Sequence, residues 1–176
     1  MQDLPCLRTP RCIVRLSARD DAPKLLEYWS ANGQRYDPPL PSPMLEEQLW
    51  AEASDRARAE FRAGSSCKLY GFSADGQSVV GTVALTSMHS DAEGHCRLGY
   101  GIAGACEGQG MMHEIVSAVI VYAFDDLGLR RIEADCAPDN RRSARLLERL
   151  GFASTDPRAA VPIRFHLVPE MRSSGA

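Results

Sequence analysis

The sequence has no excess of one charge, no long apolar run and no paired metal-ligand spacing, and each absence removes a class of function. Its 176 residues carry 20 Lys and Arg against 23 Asp and Glu, a net charge of −3. That balance argues against attachment to nucleic acid by bulk charge, so no direct nucleic-acid partner is expected. The longest mostly apolar stretch, Ile115 to Phe124, is too short for a bilayer, which needs about 20 residues. The opening MQDLPCLRTPR lacks an apolar signal segment, so a cytoplasmic chain without a membrane partner is expected. Six cysteines are scattered with no C-x-x-C pair, and the neighbours His95 and Cys96 point to opposite faces of a strand. No metal is therefore expected, and the thiols are read as reduced small hydrophobes. Repeats, low-complexity tracts and interdomain linkers are absent too, which leaves a single domain over 7–170. With 44% apolar and 24% charged residues the chain has what a packed core needs.

What is present reads as alternating strands and helices. Arg11 to Leu16 alternates polar and apolar residues as a strand does. Asp20, Asp21 and Pro23 open a helix that Asn32-Gly33 closes. Pro38, Pro39, Pro41 and Pro43 mark a loop, and Ser42 with Pro43 starts a second helix. Its core face is read as Leu45, Leu49, Ala53, Ala57 and Phe61, ending at Gly64. Lys68 to Ser73 and Ser78 to Thr86 flank Asp75-Gly76 as a hairpin. A polar turn, His89 to Gly94, leads to a strand over Cys96 to Ala103. An apolar helix from about Gln109 to Leu127 follows, with Ile115, Ala118, Val119 and Tyr122 as its core face. Then come a strand, Arg131 to Ala137, a helix, Arg141 to Leu150, and a last hairpin from Phe152 to Ser154 and Val161 to Val168. The expected fold class is three-layer α/β, with a mixed, mostly antiparallel sheet of six to seven strands flanked by helices.

The segment Leu98 to Val116, LGYGIAGACEGQGMMHEIV, runs from a strand through Gly104, Gly108 and Gly110 straight into a helix. Open amides and a positive dipole at such a helix start suit phosphates, and glycine lets an anion approach the backbone. The plainer alternative is that the glycines only shape a tight turn. Gly99-Tyr-Gly101-Ile-Ala-Gly104 formally fits a dinucleotide fingerprint, but its first glycines lie inside the strand and no acid follows at a strand end. No Lys-Ser/Thr follows the glycines, which excludes a nucleotide-hydrolase phosphate loop.

This order of strand, Gly-x-Gly turn, apolar helix, strand, Pro138-Asp139-Asn140, helix and Leu150-Gly151-Phe152 resembles the GCN5-related N-acetyltransferases. Within them, EGQGMMHEIVSAVIVYAFDDLGLRRIEADCAPDNRRSARLLERLGF is similar to the Rim-type ribosomal-protein N-terminal acetyltransferases, and the likeness runs from about Leu7 to Phe152. It implies acetyl-CoA as cofactor, an amine as acceptor, and a monomer or homodimer. The family pattern Q/R-x-x-G-x-G/A falls on Ala105 to Gly110, with Ala105 in place of Gln or Arg. The resemblance places the diphosphate on the amides of Gly108, Gln109, Gly110 and Met111, and the pantetheine arm along the Gly101 to Ala103 backbone and the Asn140 side chain. It offers an N–H at Ile102 or Ala103 to the oxyanion and, through Asn140-x-x-Ser143, the Ser143 hydroxyl to the coenzyme's sulfur. The tyrosine many relatives use as acid is absent, its position being Leu147. Ser143 also has a structural alternative, bonding its own helix backbone.

No strong base stands out. Glu133 is the candidate, with Asp135, Glu107 and His113 behind it, and each also reads as a structural residue. An α-amine of pKa near 8 is about 10% neutral at pH 7, a lysine on the order of 0.04%, so a weak base matches N-terminal amines. The expected acceptor is thus the N-terminal amine of a ribosomal or other protein. A small-molecule amine is the second reading, and a non-catalytic acyl-CoA-binding scaffold the third. Arg141, Arg145 and Arg149 form a basic stripe, read as either a phosphate or partner contact or a solvated face. Cys106, at a helix start, is the candidate for the most reactive thiol. The tail ASTDPRAAVPIRFHLVPEM departs most from the family pattern.

Overall fold

The structure, a computed structural model, describes residues 3–36, 46–88, 94–155 and 162–170. The proline-rich loop, the Ser42-Pro43 helix start, most of the turn from His89 and the first residue of the last expected strand lie outside them. Among the described residues eight strands form one sheet: β1 (Cys6–Arg8), β2 (Cys12–Arg15), β3 (Cys67–Ser73), β4 (Val79–Thr86), β5 (His95–Ile102), β6 (Arg131–Cys136), β7 (Ala153–Ser154) and β8 (Ile163–Leu167). Their spatial order is β1-β2-β3-β4-β5-β6-β8-β7. Every pairing is antiparallel except β5 with β6. The mixed, mostly antiparallel sheet is as expected. The additional strand is β1, too short and too exposed for alternation to reveal it.

Among the described residues four α-helices cover the sheet: α1 (Ala22–Asn32), α2 (Glu47–Arg62), α3 (Met111–Asp125) and α4 (Arg141–Arg149). None among the described residues is long and apolar enough to cross a membrane. Helices α1 and α2 bury Leu25, Tyr28 and Trp50 against Phe72 and Val79. The buried face of α2 is Trp50, Ser54, Ala57 and Phe61, while Leu49 and Ala53 are half-exposed. A strict four-residue step overshoots the 3.6-residue turn and drifts around the helix, so the Leu49–Ala53 line leaves the core. On the other face of the sheet α3 is fully buried at Ile115, Val116, Val119 and Ala123. Ala118, expected with them, is half-buried. Leu146 and Leu147 of α4 join this second core.

The connection through α3 forces β6 to lie parallel to β5, and this pairing is brief. It runs over His95↔Arg131, Cys96↔Ile132 and Arg97↔Glu133. Beyond that point β5 continues along β4 to Ile102↔Gly81, while β6 follows β8 to Cys136↔Ile163. The two strands therefore part, and a seam opens in the middle of the sheet.

Candidate active site

The turn at the end of β5 is shaped by two left-handed residues, Gly108 (φ +74°) and Gly110 (φ +76°), a backbone state that side chains with a Cβ resist. Gly110 precedes the first residue of α3, and no side chain caps this start. The first intrahelical bond is Glu114 N–H to Gly110 C=O at 3.2 Å, so the amides of Met111, Met112 and His113 are those a helix start leaves open. Gln109 is spent on the turn itself: its Nε2 donates to Ala105 O at 2.9 Å. The helix start is tied down from the first hairpin instead. Glu114 accepts from the Thr9 hydroxyl (2.5 Å), the Arg11 amide (2.8 Å) and Arg11 Nε (2.8 Å). Burial pushes the Glu114 carboxyl up, but these donors outweigh it and hold it below its ordinary value.

The start of α4 is built differently. Asn140 Oδ1 caps it by accepting the Ser143 amide at 3.1 Å, which leaves the Asn140 Nδ2 donors outside the cap. The Ser143 hydroxyl reaches across to β5, where it shares a 2.7 Å hydrogen bond with the Tyr100 phenol. Burial pushes the Tyr100 phenol up to about 12, with the Ser143 bond pulling the other way, so it stays protonated at neutral pH. In the sequence Tyr100 is only one residue of the strand over Cys96 to Ala103. A half-buried phenol needs a polar partner, and that requirement was the signal available.

Alternation along β5 decides which backbone groups face the seam. Ala103 N–H donates to Val80 O at 2.9 Å, so it points to β4 and is not open to a ligand. Gly101 O also lies on the β4 side, 2.8 Å from where a Gly81 Cβ would stand. Ile102 and Tyr100, one residue out of phase, turn their N–H and C=O groups into the seam. Of the two expected N–H donors, Ile102 is thus the one presented.

Ser143 and Glu133 lie on opposite faces of the sheet. Gly101 carries the Tyr36 ring, which comes from the α1 side and occupies the space of a Cβ there. Arg97 shares that phase, and Glu133 is its partner in register. Tyr100, opposite Val83 in the α3 core, has the other phase and meets Ser143. Glu133 accepts from Arg131 Nε at 2.8 Å. Asp135 pairs with Arg97 and, at 3.7 Å, with Arg164. Glu107 is held between Arg35 and Arg142, and His113 stands half-buried in the first turn of α3.

Leu147 is fully buried, as a core residue and not a reagent. Arg141, Arg145 and Arg149 are exposed, with Arg149 Nε donating to Arg145 O at 3.3 Å. Cys106 is half-buried against both cores; Cys12, Cys67, Cys96 and Cys136 are buried, and Cys6 is exposed. Among the described residues no cluster of three or more His, Cys, Asp or Glu could hold a metal ion.

Comparison with known proteins agrees with this geometry. Residues 11–153 match the family described as acetyltransferase (GNAT) domain. The [ribosomal protein uS5]-alanine N-acetyltransferase of Escherichia coli K12 is 32% identical over 151 residues, which cover 83% of this chain and 77% of that one. Among solved structures, the ribosomal-protein-S5-alanine acetyltransferase from Vibrio fischeri superposes with a TM-score of 0.84 at 18% identity, over 98% of this chain and 99% of that one. Mycobacterium smegmatis RimJ in complex with CoA-disulfide gives 0.79 at 22% identity, over 95% and 87%.

Proposed function

The chain belongs to the GNAT acetyltransferase family, which uses acetyl-CoA, and from that premise we propose that it acetylates the N-terminal α-amine of a protein in the cytoplasm, a ribosomal protein above all. The residues fit the coenzyme: the bare start of α3 offers amides to a diphosphate, and the seam beside β5 accepts an extended arm as an added strand. When bound, acetyl-CoA supplies the thioester whose acyl carbon the amine attacks.

The proposed division of labour follows the two faces of the seam. Gly108, Gln109, Gly110 and Met111 hold phosphate through their amides, and Asn140 Nδ2 and the Ile102 backbone hold the arm. Ile102 N–H is the donor to the thioester oxygen. Ser143 donates to the departing sulfur and is resupplied by the neutral Tyr100 phenol behind it. Glu133, where the strands part, takes the proton that the amine sheds.

One observation carries the choice of acceptor. Glu107, Glu114, Glu133 and Asp135 are each held by an arginine. Each of these carboxylates already spends an oxygen on a guanidinium, so none of the four stands unengaged as a dedicated base. Such a site suits an amine that arrives partly neutral, as an α-amine does and a lysine does not.

The test is thiol release from acetyl-CoA with a panel of N-terminal peptides, internal-lysine peptides and small amines. Peptides with a free N-terminus should be turned over fastest, and Ser143→Ala should lower that turnover by about 10- to 100-fold with coenzyme affinity nearly unchanged. Faster turnover of a small amine would replace the acceptor. Tight coenzyme binding without turnover on any amine would make the chain a scaffold.

A further inference from the structure

The turn that opens α3 contains a single charged side chain, and its sign is wrong for a diphosphate. From Gly104 to Gly110 the chain reads Gly-Ala-Cys-Glu-Gly-Gln-Gly, so Glu107 stands where phosphate is to be received. An unpaired carboxylate there would repel the ligand that the open amides attract. It is not unpaired: one oxygen accepts from Arg35 and the other from Arg142.

The two arginines come from opposite faces of the sheet and are held to different degrees. Arg142, in the first turn of α4, has an 85% exposed side chain, whereas that of Arg35 is 48% exposed. Arg35 belongs to a short helical turn, Gly33–Arg35, that directly follows α1. This turn is registered against the glycine turn by Asn32, which is buried and whose Oδ1 accepts the Gly104 amide at 2.9 Å. The Arg35 guanidinium then lies on the bare face of Gly104, where a Cβ would stand 2.7 Å from Nη1 and 3.2 Å from Cζ. A planar fork is thus fixed at the turn by packing as well as by charge, and a guanidinium fits phosphate oxygens as well as carboxylate oxygens.

We infer that Arg35 is a ligand of the coenzyme's diphosphate and that Glu107 is its placeholder. The carboxylate keeps the guanidinium at the turn while no coenzyme is there and gives it up when phosphate, with more charge and more acceptor oxygens, arrives. The cation that the turn itself lacks is in this way supplied from the short helical turn after α1. The inference rests on reading the α3 start as the coenzyme site and adds an exchange of partners to it.

The experiment compares dissociation constants of wild type, Arg35→Ala and Glu107→Gln for CoA, for 3′-dephospho-CoA, which keeps the diphosphate, and for pantetheine, which has no phosphate. Arg35→Ala should weaken CoA and dephospho-CoA alike, by about 10- to 100-fold, and pantetheine by less than about twofold. Glu107→Gln should tighten both phosphate-bearing ligands by about 3- to 10-fold, since no carboxylate has to be displaced. Equal losses for all three ligands in Arg35→Ala would mean that Arg35 only shapes the turn, and weaker CoA binding by Glu107→Gln would refute the exchange. A wild type that binds no CoA sinks the earlier reading and this one with it. A wild type that binds while Arg35→Ala binds as well sinks this one alone.

Discussion

Two strand-to-helix turns face each other across the seam, β5 into α3 and β6 into α4, and they are finished in opposite ways. The α4 start is complete in itself, because Asn140 supplies the missing acceptor to the Ser143 amide. The α3 start is left bare behind a left-handed Gly110 and is fastened from outside by Thr9 and Arg11, which donate to Glu114 in its first turn. A side-chain cap is worth about 1 kcal/mol, so a bare start gives up stability that a ligand on its amides would restore. The lesson is a division between backbone and side chain. The uncapped turn can hold an anion through N–H groups, whereas the capped one has only side chains, Ser143 Oγ and Asn140 Nδ2, to offer.

The largest effect should come from breaking the bare turn. Gly110→Asp puts a carboxylate at the open amides and a Cβ at φ +76°. Left-handed backbone costs a side-chain-bearing residue about 1–2 kcal/mol, and the melting temperature without ligand should fall accordingly. More telling, the stabilisation by coenzyme, about 2.7 kcal/mol at a hundredfold excess over Kd, should vanish. A thermal shift that survives the substitution would place the phosphate elsewhere.

The capped turn sharpens the contrast with a smaller effect. Asn140→Asp keeps the capping oxygen and removes the amide donors, so stability should stay within about 0.5 kcal/mol while coenzyme affinity drops about 10-fold. Asn140→Ala should lose the affinity and about 1 kcal/mol of stability as well. If calorimetry found both properties unchanged in the Asp variant, the residue would be a cap and nothing more.

Smallest is the outside fastening of α3. The folded Glu114 carboxyl lies below its ordinary 4.5, so its contribution is present above the unfolded value and is lost as pH falls through the folded one. Glu114→Gln should cost about 1 kcal/mol at neutral pH and flatten the decline of melting temperature on the acid side of pH 4.5. A variant that melted in parallel with wild type from pH 7 to pH 3 would remove Glu114 from this role.

What the sequence could disclose followed from range. The β5–α3 turn, the Asn140 helix start and the Asp75-Gly76 hairpin are local, and their residues announce them. Strand β1 is three residues long with only Leu7 turned inward, too short for a period to register. The Tyr100–Ser143 bond joins residues 43 apart, and the Arg35–Glu107 pair joins residues 72 apart. Nothing in either neighbourhood names the other partner. Direction was hidden too: that Ala103 spends its N–H on Val80 while Ile102 does not depends on which neighbour β5 pairs with at that point. Spacing thus marked the turn at which we propose a ligand is received, and tertiary contacts decide which atoms that turn presents.

The parting of β5 from β6 beyond Arg97↔Glu133 has a consequence for the life of the protein outside catalysis. A sheet interrupted in its interior carries strand edges without a ladder partner beyond that register, and such edges can recruit other extended chains. On the proposed reading the coenzyme's arm would then also be a guard, a surrogate strand that closes the gap. Amides of Tyr100 and Ile102 should exchange with deuterium readily in the empty protein and slowly in the loaded one. Resistance to clumping should accordingly follow the coenzyme supply of the cell, so that scarcity of the acyl donor diminishes the stock of soluble enzyme as well as its turnover.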